Sequence, residues 1–199
     1  MRDHTVKGFS GVMTDAVVRM SRTRANYWVE FVIDIALGIL FAAEGLRRHD
    51  LHPAAAWLTI VLGLFLFSFM EYCFHRWLLH GPVRLMEQGH MAHHKSPLDY
   101  DSLPFFLPAL ILLGLTAGFV LVMPAGQAFL LAGTLLFGYV IYGFNHFIIH
   151  HARFRRPLAR KWAAYHHIHH YHPGRNFGVT TPLWDIILGT RYISCQKRI

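Results

Sequence analysis

At 199 residues the chain is long enough for one domain, and no shift in composition divides it. It is 54% hydrophobic and only 15% charged, with a positive mean hydropathy, a balance that excludes an ordinary soluble globule of this size. A net charge of +8, with histidine counted neutral, suits nucleic acid, an anionic membrane surface or an anionic substrate, and the long apolar runs select the membrane.

The first 25 residues are mixed and weakly amphipathic, without the apolar core and small-residue cleavage site of a signal peptide, so this segment is expected to stay on the mature protein. Four apolar stretches follow, at about 27–46, 54–79, 104–123 and 127–149, each near the roughly 20 residues that a spanning helix needs. They predict an all-α protein, a bundle of four transmembrane helices in one domain over 1–199. The third and fourth are joined only by the sequence MPAGQ, where Pro124 and Gly126 predict a tight turn and an antiparallel hairpin. Of the 19 Lys and Arg residues, five precede the first span, two lie in the first loop, three between spans two and three, and nine after span four. The positive-inside rule therefore places both termini and the middle loop in the cytoplasm; an inner membrane or the endoplasmic reticulum is the expected location. Beyond span four, Pro157 suits the first turn of a helix that Pro173 and Gly174 close. Thr181, Pro182 and Gly189 bracket a last short one.

Ten of the 16 histidines fall in four clusters on this cytoplasmic side: His75 and His80; His90, His93 and His94; His146 and His150; His166, His169 and His170. Spacings of three and four place the last three clusters each on one helical face, where imidazoles stack and converge. His75 and His80, five apart, lie about 140° from one another on an ideal helix and so address two points, as two metal ions would require. Neutral imidazole is a common ligand of zinc, iron and copper. Ten ligands are too many for one ion. Divided between two they leave a position open for oxygen or water, as a catalytic site needs. Cys73 and Cys195 lie far apart and predict neither a disulfide nor a thiolate site, so any metal would be held by nitrogen and oxygen. His151, His167 and His172 lie off these faces and are expected to support or simply flank the clusters. His4, His49 and His52 are expected at the surface or the interface.

The segments HRWLLH (75–80), HMAHH (90–94), HFIIH (146–150), HHIHH (166–170) and NFGVTTPLWDIILGT (176–190) together resemble the fatty acid hydroxylase superfamily of membrane di-metal enzymes, which includes sterol desaturases and fatty acyl 2-hydroxylases. The resemblance runs from His75 to Thr190, and PLWDIILGT is more similar to the fatty acyl and sterol branch than to the related carotenoid hydroxylases. It implies two iron ions, dioxygen as co-substrate, electrons from a separate donor and hydroxylation of a membrane lipid, with a fatty acyl chain at C2 the first expectation and a sterol or carotenoid the alternative. It also implies ligation by His75, His80, His90, His93, His94, His146, His150, His166, His169 and His170, without assigning them to one ion or the other. The fused cytochrome b5 domain of some members is absent from this sequence, so a cytochrome b5-like or ferredoxin-type partner is expected. Zinc is expected to replace iron readily in purified protein, because it stands above ferrous iron in the usual affinity order.

Carboxylates that accept the free N–H of a ligating imidazole are expected among Glu71, Asp99, Asp101 and Asp185. For Glu71 a helix-end pairing with a basic residue is the alternative. Tyr142 and Asn145 precede His146 by about one turn, as supports of the site or packing residues. Glu30 and Asp34 form an acidic i,i+4 pair inside an apolar run, either functional and protein-facing or an interfacial stripe. The cations Arg153, Arg155, Arg156, Arg160 and Lys161 serve anionic headgroups, an acidic electron donor or plain membrane anchoring. Two other classes compete. A membrane haem protein needs single histidines deep in a bundle, and a divalent-metal transporter or sensor needs ligands along a path across it; doubled and tripled histidines at one end fit neither. A zinc hydrolase would need a placed general base that the sequence does not identify.

Overall fold

The structure, a computed structural model, describes residues 16–100 and 102–194. The N-terminal segment with His4, and also Asp101 and Cys195, lie outside the described residues. Those described are helical, with no strand. Helix α1 (Arg24–Arg47) starts where Thr23 accepts the backbone N–H of Asn26. Helix α2 (Pro53–Cys73) starts at His52, whose Nδ1 accepts the N–H of Ala54, and continues without a break into a π-helical turn, Phe74–Leu79. His52, expected at the surface, is thus also a helix cap. Then follow α3 (Arg84–Lys95), α4 (Leu107–Phe119), α5 (Ala125–His151), α6 (Pro157–Tyr171) and the single turn α7 (Leu183–Ile187).

Helix α5 is the hub, packing against α1, α2, α4 and α6. Small residues let it come close. A Cβ at Gly45 would lie 2.6 Å from the backbone nitrogen of Leu130, and one at Gly133 would lie 2.8 Å from that of Ala42. Glycine at these two crossings lets α1 and α5 meet backbone to backbone, the usual route to tight helix packing where burial of apolar side chains gives no advantage over lipid. Around this interface Phe41, Leu112, Ala132 and Leu136 form a buried cluster.

Among the described residues two helical segments, Pro53–Leu79 and Ala125–His151, are long and apolar enough to cross a membrane. Large apolar side chains point outward around them, among them Trp57, Leu58, Val61 and Ile141, the first 71% exposed. Such a belt is costly in water and ordinary in lipid. The expectation for the third span is corrected: instead of 104–123, α4 covers 13 residues, fewer than a spanning helix needs. Its start is delayed by Pro104 and by Pro108 in the first turn, and Val120–Met123 already form the turn toward Pro124, which caps α5. The predicted turn therefore lies a few residues earlier than MPAGQ, with Gly126 and Gln127 inside α5. Glu30 and Asp34 are protein-facing, 2% and 1% exposed, with the Tyr139 hydroxyl donating to Glu30 over 2.7 Å.

Candidate metal centre

The ten clustered histidines meet in two groups of five. One holds His75, His80, His90, His94 and His169; the other holds His93, His146, His150, His166 and His170. In each group the candidate ligand nitrogens all lie within 4.8 Å of one another.

His75 and His80 share a group, which corrects the expectation that residues five apart address separate points. The reason is the π-turn. The N–H of His80 bonds to the carbonyl of His75 rather than to that of residue 76, so residues five apart fall nearly above one another, and the two rings lie 5.2 Å centroid to centroid. Gly81 permits this exit, because a Cβ there would sit 1.7 Å from the Trp77 carbonyl oxygen.

The triple-histidine helices are divided, another correction, since each was expected to converge on one point. On α3, His90 and His94, one turn apart, join the first group, while His93 swings to the second and lies 4.5 Å from the ring of His146. On α6, His166 and His170 join the second group, while His169 crosses to the first, 4.8 Å from the ring of His80. Each group therefore takes two i,i+4 or i,i+5 pairs from its own helices and one histidine from the opposite one. The exchange gives the site an approximate twofold plan.

Ring orientation is set from the segment 175–190. The Nδ1–H of His75 donates to the carbonyl of Phe177 and that of His169 to the carbonyl of Arg175, at 2.7 Å in the second case. A carbonyl only accepts, so each Nδ1 carries the proton and each Nε2 turns a lone pair into the group. The expected carboxylates act one step further out. Asp185, fully buried, accepts the N–H groups of Phe177 and Gly178 and the Thr190 hydroxyl. Glu71 accepts the N–H groups of Val179 and Thr180 and the Thr180 hydroxyl. Neither hydrogen-bonds to an imidazole among the described residues; together they shape the loop that presents the Phe177 carbonyl. Asp99 is exposed beside Arg22 at 3.9 Å. The Tyr142 ring stacks on His146 with centroids 5.8 Å apart.

The donor set fits a metal. Nε2 atoms face one another at 2.9 Å for His75 and His90, 3.0 Å for His80 and His169, and 3.1 Å for His150 and His166. Two nitrogens about 2.1 Å from one ion and about 90° apart are separated by about 3.0 Å. Both ring nitrogens of His93, Nε2 of His146 and Nδ1 of His166 are buried with no partner among the described residues. Lone pairs brought together without hydrogens between them repel unless a cation joins them. The electrostatics agree. Burial first, and then the neighbouring imidazoles, push His80 down to about 4, His93 to about 2, and His169 and His170 to about 3, and they also hold His90 and His166 well below the ordinary imidazole value. At neutral pH these rings are uncharged and ready to coordinate.

A sequence profile for fatty acid hydroxylases matches residues 60–190, which hold all ten histidines. The chain belongs to the fatty acid hydroxylase family. Among curated relatives of this fatty acid hydroxylase family member, a dihydroceramide fatty acyl 2-hydroxylase of Arabidopsis thaliana is 33% identical over 141 residues, which is 66% of this chain and 59% of the relative. The ceramide very long chain fatty acid hydroxylase of Saccharomyces cerevisiae is 30% identical over 183 residues, 84% of this chain and 46% of the relative. The chain thus spans about half to three-fifths of these curated proteins. A solved structure titled full-length scs7p, with only the hydroxylase domain visible, superposes with a TM-score of 0.75 at 26% identity, covering 88% of this chain and 69% of that one.

Several residues that hold this fatty acid hydroxylase site together carry no motif of their own. Asn176 adopts a left-handed φ of 55° and ties Tyr165 to Tyr192 through its amide. The buried Tyr72 hydroxyl meets Thr190 at 3.0 Å. Asn26 fastens the start of α1 to Ser102, Leu103 and Phe105. Asn176 and Thr190 lie within a stretch that the resemblance marked, but nothing about Asn26 or Tyr72 in sequence separates them from ordinary packing residues. His151 and His172 stack on Phe147 and Tyr192, and His167 lies beside His150 at 5.5 Å, so all three flank the groups.

Proposed function

We propose that this chain is a multi-pass membrane oxidoreductase, a non-haem di-iron monooxygenase that hydroxylates the acyl chain of a membrane lipid, most directly at C2 of an amide-linked, sphingolipid-type chain. The observation that carries the reading is the pair of five-histidine groups, uncharged and oriented, in a chain belonging to a family whose named relatives hydroxylate ceramide acyl chains.

In this reading α1, α2, α4 and α5 form a four-helix membrane bundle. The π-turn, α3, α6 and α7 make a helical cap in the cytoplasm, and both termini face the cytoplasm, consistent with the cation distribution. Residues 1–199 act as one domain. His75, His80, His90, His94 and His169 hold one iron, and His93, His146, His150, His166 and His170 the other. The metal pair, when bound, supplies the activation of dioxygen that an unactivated C–H bond requires. The balance is one acyl C–H, one dioxygen, two electrons and two protons, giving the alcohol and water. The electrons come from a separate cytochrome b5-like or ferredoxin-type donor.

The chain's own residues set geometry. The carbonyls of Phe177 and Arg175 keep the protons of His75 and His169 on Nδ1, so both Nε2 atoms remain free to ligate. Asp185 and Glu71 hold the loop that carries the first carbonyl in place. Burial keeps the imidazoles neutral and excludes bulk water, which limits side reactions.

Metal content by mass spectrometry on protein purified from iron-rich medium, paired with lipid analysis of a host lacking 2-hydroxy acyl lipids, tests the reading. The expected result is about two metals per chain, fewer in His93→Ala, His150→Ala and His170→Ala, and new 2-hydroxy acyl lipids with the wild type alone. Folded wild-type protein without metal would refute it.

A further inference from the structure

The single turn α7 leaves most of its apolar side chains uncovered. Ile186 and Ile187 are 54% and 59% exposed, and Leu183 and Leu188 are exposed as well. By their i,i+3 and i,i+4 spacing Leu183, Ile186 and Ile187 share one face, while Asp185, fully buried, lies on the other. Single exposed leucines are ordinary, but four large apolar residues within 183–188 make a patch that water disfavours.

Trp184 fixes the depth of this patch. Its ring lies 5.3 Å from that of Phe65 and 4.6 Å from that of Phe69 on α2, and its Nε1–H donates to the Ser68 hydroxyl at 3.0 Å. Ser68 stands two turns before His75, about 10 Å along an α-helix, inside the apolar segment Pro53–Leu79. From Pro53 to Phe74 the sole charged residue is Glu71, which is buried. Leu62, Phe65 and Leu66, on this part of α2, belong to the outward-facing apolar belt, so the patch on α7 continues that belt. At the other end of the turn, Arg175 donates to the carbonyl of Gly189 and Arg191 is exposed, as suits long cationic side chains that reach lipid phosphates.

We propose that α7 is inserted into the bilayer leaflet on the metal side, with Leu183, Ile186, Ile187 and Leu188 among acyl chains, and that this contact anchors the loop that orients His75. Short amphipathic segments with a tryptophan at the boundary lie in a membrane interface in this way. Asp185 makes the link: from the same turn it accepts the N–H groups of Phe177 and Gly178, and the Phe177 carbonyl accepts the Nδ1–H of His75. The cap is thus held to the membrane beside the helix that carries its first two histidines. This inference rests on the membrane reading of α2 and not on the chemistry of hydroxylation.

The test uses the full-length, metal-loaded protein in phosphatidylcholine vesicles, in a Cys73→Ser and Cys195→Ser background. A nitrobenzoxadiazole fluorophore is attached in turn at Ile186→Cys, Ile187→Cys, Leu62→Cys on the belt of α2 and Gln88→Cys on the exposed side of α3. Doxyl-labelled lipid and aqueous iodide serve as quenchers. The labels at 186 and 187 are expected to be quenched by doxyl lipid as at 62 and to lose the iodide quenching seen at 88. Ile187→Asp, read with the label at 186, is expected to restore iodide quenching and to speed removal of one metal per chain by a chelator about tenfold, with the second metal retained. Ile187→Ser is the milder variant should Ile187→Asp misfold. Iodide quenching at 186 and 187 equal to that at 88 would overturn the insertion. Shielding from both quenchers would overturn it too, since a second copy or another protein would then cover the face. An expelled turn with an unchanged chelation rate would overturn the anchoring of the loop. If the label at 62 is itself open to iodide, the membrane reading fails; if 62 meets lipid and 186 and 187 do not, α7 alone fails. Neither readout needs turnover, so absence of an alcohol product counts against the hydroxylase reading and not against the insertion.

Discussion

His94 and His170 stack ring on ring, 4.3 Å apart and 21° from parallel, although they belong to different groups of five. Their contact is the wall between the two groups. His93 and His169 pass this wall in opposite directions. His169→Ala is therefore expected to deplete the group formed mainly by α2 and α3, and His93→Ala the group formed mainly by α5 and α6. Metal content should fall from about two to about one per chain in each single variant and to near zero in the double. Loss of both metals in either single variant would show that the groups load only as a unit.

Asp185→Ala removes the acceptor of two buried N–H groups and one hydroxyl. Unpaired buried donors cost about 1–3 kcal/mol each, less where water reaches them, so a loss of about 3 kcal/mol is expected, with weakened metal binding as the Phe177 carbonyl drifts from His75. Thermal unfolding followed with and without added metal separates the two effects: the metal-dependent increment in melting temperature should shrink in addition to the overall drop.

The cap histidines titrate below the ordinary imidazole value when folded, so between pH 6.5 and about 4 the unfolded chain binds more protons than the folded one. Stability of the metal-free protein is accordingly greatest above pH 6.5 and falls as the pH drops through that window. Metal affinity, measured by competition with a chelator, should change little from pH 8 to 6.5 because no proton has to leave these rings. A tenfold loss per unit in that range would contradict the depressed values.

The π-turn makes a sharper prediction. Gly81→Ala brings a Cβ against the Trp77 carbonyl, and relief requires the last turn of α2 to rewind toward α-helical geometry. His80 then swings away from His75. The variant should keep its helical circular dichroism and lose metal from the first group, whereas Gly89→Ala, with open space around its Cβ, should change neither.

Gly45→Ala tests the bundle instead of the site. A methyl group 2.6 Å from the Leu130 backbone forces α1 away from α5, at a cost of about 1–3 kcal/mol, read as a lower detergent-unfolding midpoint with metal stoichiometry preserved.

Much of this was legible in the sequence because histidine is scarce in apolar chains and its spacing is chemical. The ten candidate ligands, the helical class and the strong apolar character of 54–79 and 127–149 all follow from local composition. The assignment of His93 and His169 to opposite groups did not, since an i,i+3 or i,i+4 spacing fixes a face but not the neighbour beyond it. His75 and His80 misled for a different reason: the ideal helical angle ignores a π-turn that tertiary contacts impose. The short α4 was hidden because leucine and glycine around 104–123 read as apolar whether or not the prolines allow a full helix. Glu71 and Asp185 were expected to accept the free N–H of an imidazole, whereas they accept backbone amides and threonine hydroxyls of a loop whose path no local pattern specifies.

The exchange of His93 and His169 also has a meaning for how the protein is made. The first group gains its fifth ring only at residue 169 and the second only at residue 170, both on α6. During translation α2, α3 and α5 can leave the ribosome while each group still lacks histidines from α6. Completion of both groups thus waits for α6, and a product truncated before His169 can complete neither.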